Sequence, residues 1–148
     1  MKTALTIFTI AFGACFLYIS LTRGEVHPRP KRNVFQFATM IIATTGRNPF
    51  DYNGYGCWCG LGGKGKPKDE VDRCCQVHDY CYKALYDRGC FSPVLNGYKY
   101  TLEENIICLK DKNDDCEQGG CECDREAAHC FGNNTYHKQY KRWPQRRC

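Results

Sequence analysis

The spacing of apolar and polar positions predicts a mainly helical chain with one small hairpin. From Asn33 to Thr44, Val34, Phe37 and Ile41 fall at i, i+3 and i+7, with Phe35 beside them. That is the pattern of a short amphipathic helix, stopped by Gly46 and Pro49. Asp51 to Lys68 is rich in glycine, has no helical period and reads as a loop. Pro67, Asp69 and Glu70 open a long helix that runs to about Tyr86 and ends at Gly89. Tyr98–Leu102 and Ile106–Leu109 carry β-branched and aromatic residues around Glu103-Glu104-Asn105, which predicts a hairpin. A second long helix spans about Asp115 to Cys130, with an irregular first turn expected from Gly119-Gly120. The tail from Phe131 reads as extended loop, and no repeat or low-complexity segment interrupts the chain.

The start of the chain has another pattern. Met1-Lys2, an apolar run from Ala4 to Ile19 and the small residues near Gly24 predict a signal peptide over 1–24. Arg29-x-Lys31-Arg32 matches the pattern cut by basic-site convertases, so 25–32 is expected to be a propeptide and 33–148 the mature domain. The alternatives are an N-terminal anchor and an uncut basic linker. Cleavage changes the charge balance. The full chain carries +5, but residues 1–32 hold five of its 21 Lys and Arg and one of its 16 acids, which leaves +1. A strongly basic nucleic-acid binder is therefore excluded. The distribution is uneven: no acid follows Glu126, while Lys138, Lys141, Arg142, Arg146 and Arg147 crowd the tail.

Of 13 cysteines, Cys15 belongs to the expected signal and twelve remain. An even number at this density in an exported chain implies six disulfides. Zinc is the rival at Cys57-x-Cys59 and Cys121-x-Cys123, and the oxidising compartment argues against it. Cys74 and Cys81 are seven apart, as are Cys123 and Cys130. Seven residues make about two helical turns, so each pair shares one face. Antiparallel helices could then be joined as Cys74–Cys130 and Cys81–Cys123, although spacing alone does not decide connectivity. Such a pairing would set His78 near the seam and bring Asp124, beside Cys123, towards it.

A histidine oriented by a carboxylate is a general base that needs a nucleophile. The mature chain has one serine, Ser92, outside any strand–turn–helix elbow, and its thiols are expected in disulfides. Water is left. Asp79, next to His78, together with the carbonyls of the Gly-rich loop would make a hard oxygen site suited to calcium.

These residues resemble the secreted phospholipase A2 family over essentially all of 33–148. Tyr55-Gly-Cys-Trp-Cys-Gly-Leu-Gly-Gly63 is similar to its calcium loop, Cys74-Cys-Gln-Val-His-Asp-Tyr-Cys-Tyr82 to its catalytic helix, and Cys121-Glu-Cys-Asp-Arg-Glu-Ala-Ala-His-Cys130 to its second helix. The resemblance implies a disulfide-rich fold with an N-terminal helix, a calcium loop and two long antiparallel linked helices. It implies the bridges 57–148, 59–75, 74–130, 81–123, 90–116 and 108–121. Calcium would take the carbonyls of Trp58, Gly60 and Gly62 and the carboxylate of Asp79. His78 would deprotonate water, Asp124 would orient His78, and the hydroxyls of Tyr82 and Tyr98 would hold Asp124. The Gly60 N–H would help stabilise the oxyanion, and Val34, Phe37 and Ile41 would line an acyl channel.

The implied reaction is hydrolysis of the sn-2 ester of glycerophospholipids at a membrane surface by an extracellular protein. A venom or stinging-cell granule is one destination, a digestive or defensive secretion another. The rival readings are a receptor-binding or membrane-disrupting toxin and a calcium-binding domain with a vestigial site. The complete set of His78, Asp79 and Asp124 argues against the vestigial site; inactive homologues commonly carry Lys or Ser at the position of Asp79. The chain is expected to be group I-like without the pancreatic loop. Ala43 and Leu102 replace the cysteine pair of pancreatic members, and Trp58 stands where Tyr is usual. His129 and His137 are expected to be solvated. Asn133-Asn134-Thr135 is a glycosylation sequon, and the charged aromatic tail is either a solvated strap pinned by Cys148 or a membrane contact.

Overall fold

The computed structural model describes residues 32–91 and 96–148. The expected signal and propeptide lie outside the described residues, apart from the backbone of Arg32. Three helices carry the fold among the described residues: α1 (Arg32–Thr45), α2 (Glu70–Asp87) and α3 (Asp115–Asn133). The strands β1 (Tyr100–Leu102) and β2 (Ile106–Cys108) form an antiparallel pair with Thr101 opposite Ile107. None of the described helices is long and apolar enough to cross a membrane.

Both long helices start where side chains satisfy the free N–H groups of the first turn. Asp69 caps α2 through the N–H of Asp72. At α3, Asp114 accepts from Glu117 N–H while the Glu117 side chain accepts from Asp114 N–H, a complete capping box. That box corrects the expected irregular first turn. Gly119 has a packing role instead: a Cβ there would lie 2.4 Å from Leu85 Cδ2, so the missing side chain lets α3 close on α2.

Helix α1 packs on α3, where Thr44 Oγ1 donates to Ala128 O at 2.8 Å. The core fills the space between the helices: Met40, Tyr55, Val71, Cys74, Leu85, Tyr98, Cys121 and Ala128 are almost wholly buried. Six disulfides tie this small core, and they are the six pairs implied by the resemblance. Each such bridge contributes about 2–4 kcal/mol, largely by restricting the unfolded chain.

Two further expectations are corrected at the edges. The strands are shorter than their β-rich sequence: Tyr98 and Lys99 are engaged by side chains from elsewhere, and past the ladder one backbone bond, Leu109 N–H to Lys99 O, continues the pairing. Tyr98 N–H donates to Gln36 Oε1, and Asn113 bonds both the N–H and the carbonyl of Lys99. The tail is not extended from Phe131: α3 continues to Asn133, and buried Phe131 stacks on Tyr52 at 4.4 Å. Beyond it, single 3-10 turns at Lys138–Tyr140 and Gln145–Arg147 strap the chain across the Gly-rich loop. Gly56 N–H donates to Tyr140 O, Trp143 N–H to Gly54 O, and Lys141 pairs with Asp51.

Candidate active site

His78 and Asp124 come together because the bridges Cys74–Cys130 and Cys81–Cys123 clamp α2 against α3 on either side of them. His78 Nε2 lies 2.7 Å from Asp124 Oδ1, and Asp124 is wholly buried. The carboxylate can only accept, so Nε2 carries the proton and Nδ1 keeps its lone pair. Tyr82 OH donates to Asp124 Oδ1 at 2.9 Å and Tyr98 OH to Oδ2 at 2.6 Å. Burial first, and then the charge of Asp124, push both phenols above their ordinary value, so they remain protonated donors. A buried carboxylate is costly without partners; here three donors share it.

Helix α1 closes this network from above, which its amphipathic pattern did not reveal. The ring of Phe37 stacks on His78 with centroids 4.6 Å apart. Gln36 brackets the backbone of Tyr98, accepting from its N–H and donating to its carbonyl. Buried Asn33 donates to Asn96 O at 3.2 Å and presents Oδ1 to Tyr82 OH at 3.1 Å. The three channel candidates are graded: Val34 is exposed, Phe37 half-buried, and Ile41 belongs to the core.

The Gly-rich loop lies beside the next residue of α2. Cys59 is bridged to Cys75, one turn before Asp79 on the same helix, and Trp58 packs edge-on against Tyr80 at 5.5 Å. Asp79 is half-buried, and desolvation raises its pKa against the lowering influence of His78. Its carboxylate makes no hydrogen bond or ion pair within the described residues. None of the loop's own hydrogen bonds ends on the carbonyl of Trp58, Gly60 or Gly62. One desolvated carboxylate and several free carbonyls form a donor set that fits a hard cation. Among the described residues no cluster of three or more His, Cys, Asp or Glu gathers, so any such site depends on backbone oxygen.

A family model for Phospholipase A2 matches residues 34–141. The chain belongs to the phospholipase A2 family. It is similar to acidic phospholipase A2 5 of Echis ocellatus, 51% identical over 120 residues that cover 78% of this chain and 83% of the relative. It is also 48% identical to the neutral phospholipase A2 ammodytin I2 of Vipera ammodytes ammodytes, covering 78% of this chain and 84% of that one. The human group IIF secretory phospholipase A2 is 39% identical over 85% of this chain and 76% of its own.

These relatives correct one part of the resemblance. The human relative and a group IIC secretory phospholipase A2 of Mus musculus, 45% identical over 72% of this chain, are named as group II, so the group I-like assignment is dropped while the family stands. At the edge of the fold Ala43, Leu102 and His129 line a groove, and Cys148 is bridged to Cys57. His129 is half-buried in that groove, whereas His137 is exposed as expected. Asn133 of the sequon is exposed, as the last residue of α3.

Proposed function

We propose that this phospholipase A2 hydrolyses the sn-2 acyl ester of glycerophospholipids at a lipid surface, with His78 as general base, Asp124 as its orienter and calcium bound at Trp58, Gly60, Gly62 and Asp79. The observation that carries the reading is the 2.7 Å contact between His78 Nε2 and a wholly buried Asp124, which leaves Nδ1 as the basic atom. A water at Nδ1 gives up a proton as its oxygen attacks the ester carbonyl carbon. The imidazolium so formed is stabilised by the Asp124 carboxylate. It returns the proton to the departing glycerol oxygen as the ester C–O bond breaks, yielding a fatty acid and a lysophospholipid. The Gly60 N–H is available as an oxyanion donor. Tyr82 and Tyr98 hold Asp124, and the Phe37 ring limits rotation of His78. Bound calcium would neutralise the substrate phosphate and polarise the ester carbonyl.

Action at an interface is supported by the exposed apolar residues Val34, Phe35 and Leu61, which stand on the two segments bordering His78 and Asp79. The sequence supports secretion behind a signal at 1–24 and removal of 25–32, after which Asn33 would begin the mature chain. Fatty-acid release from mixed phospholipid vesicles, with calcium and with excess chelator, tests the reaction. Release should require calcium in the sub-millimolar to millimolar range of extracellular oxygen-ligand sites. Full activity in chelator, or in Asp79→Lys, would remove calcium from the reading. An Arg32→Ala proform should lose activity on vesicles more than on a monomeric short-chain ester; vesicle activity equal to that of the mature protein would make 25–32 a passive linker.

A further inference from the structure

Asp72 is wholly buried and no ion pair among the described residues involves it. Its position in the first turn of α2 is that of an ordinary acid facing a helix N-terminus. The structure uses it otherwise. Its Oδ2 accepts from Cys57 N–H at 2.7 Å and from Lys68 N–H at 2.8 Å, and its Oδ1 from Trp58 N–H at 2.7 Å. One carboxylate thus ties both ends of the segment that holds the carbonyls of Trp58, Gly60 and Gly62.

The neighbouring geometry fixes the first of these carbonyls. The N–H groups bound by Asp72 set the peptide planes on either side of Cys57. In the next plane, Cys59 N–H donates to Tyr55 O at 3.2 Å. A trans peptide points its N–H and C=O in opposite directions, so this bond turns the Trp58 carbonyl away from Tyr55 O. Asp69 in turn holds Asp72 N–H at 2.9 Å and accepts the Tyr55 hydroxyl. Gly56 lies against the carboxylate, has φ +59°, and a Cβ there would sit 2.2 Å from Asp72 Cγ. Only glycine lets the backbone come this close.

We infer that Asp72 is a positioning residue for the metal: its carboxylate holds the loop in a cation-binding shape ahead of the cation's arrival. This rests on the calcium reading of the loop given above. Ordering the loop during folding removes an entropic cost from binding, so the effect falls on metal affinity. Asp72→Asn tests it, because the amide keeps the shape but faces backbone N–H donors with an NH2 in place of one acceptor.

Calorimetric titration of calcium into substrate-free protein should show affinity lower by about 10–100-fold in Asp72→Asn, the usual cost of removing a group that orients metal ligands. Turnover of the variant should climb toward the wild-type value as calcium is raised, a rescue that general misfolding would not show. A folded variant that binds calcium as tightly as wild type overturns the inference alone, whereas wild type that binds no calcium overturns the calcium reading as well. Should Asp72→Asn fail to fold, hydrogen exchange on calcium-free wild type decides. The amides of Cys57, Trp58 and Lys68 should be protected; exchange at open-loop rates would overturn the inference.

Discussion

Asp124 and Asp72 are both wholly buried carboxylates, each accepting three hydrogen bonds, yet the donors differ in kind. Asp124 is held by an imidazole and two phenols, all on side chains. Asp72 is held by three backbone N–H groups that never titrate. Around Asp124 a proton can be moved and its charge answered in place. Around Asp72 nothing moves, and the carboxylate acts as a rigid tie. On the proposed reading, the same side chain serves reactivity in one place and shape in the other, according to what donates to it.

The largest expected effect separates the two regions. His78→Gln should lower turnover by at least the 10²–10⁴-fold typical of a general base, while calcium affinity measured by calorimetry stays unchanged. Asp124→Asn should cost less than His78→Gln, since it only orients the base. A greater loss from Asp124→Asn would reverse the two roles, and loss of calcium affinity in either variant would erase the distinction from Asp72.

A smaller effect is expected where α1 meets the Asp124 network. The Tyr82 hydroxyl has one proton and two acceptors, Asp124 Oδ1 at 2.9 Å and Asn33 Oδ1 at 3.1 Å. Asn33→Leu should change kcat on a monomeric substrate by about 2–10-fold, the scale of one hydrogen bond, with KM nearly constant. The change should vanish in a Tyr82→Phe background, because that hydroxyl links Asn33 Oδ1 to Asp124 Oδ1. An undiminished effect in the double variant would assign it to packing.

The smallest effect concerns alkaline stability. Tyr82 and Tyr98 have folded pKa values raised above 10.0. The folded state therefore holds these protons after the unfolded chain has begun to lose them. Their contribution is complete below about pH 10 and declines as pH rises beyond it. Urea denaturation of wild type should weaken above that pH, and Tyr82→Phe or Tyr98→Phe should flatten the decline. Unchanged slopes would mean that the phenols do not differ between the folded and unfolded states. The backbone donors of Asp72 cannot ionise, but Tyr55, which donates to the neighbouring Asp69, is likewise raised by burial and adds to the same alkaline decline.

Much of the centre is legible from local pattern. The start signals at Asp69 and Glu70, the seven-residue cysteine spacing and the sequence Cys-Cys-Gln-Val-His-Asp suffice to place α2 and His78, because caps and helical faces depend on near neighbours. The glycines at 119–120 mislead, since helix propensity counts a cost where packing against Leu85 decides. The tail misleads for the same reason: residues past Phe131 have weak local preferences, and their course is set by Gly54, Gly56 and Asp51 far back in the chain.

By itself, then, the sequence determined the helices, the loop, an even set of cysteines, and the adjacency of His78 to Asp79. The two hidden assignments, Asp72 as loop tie and Asn33 as neighbour of Tyr82, were decided only in three dimensions. Asp72 meets partners 14 and 15 residues away, and Asn33 meets Tyr82 across 49. An aspartate in a first helical turn has the same letter whether it faces water or a buried loop. Burial and donor geometry, which only the packed chain creates, make it one or the other.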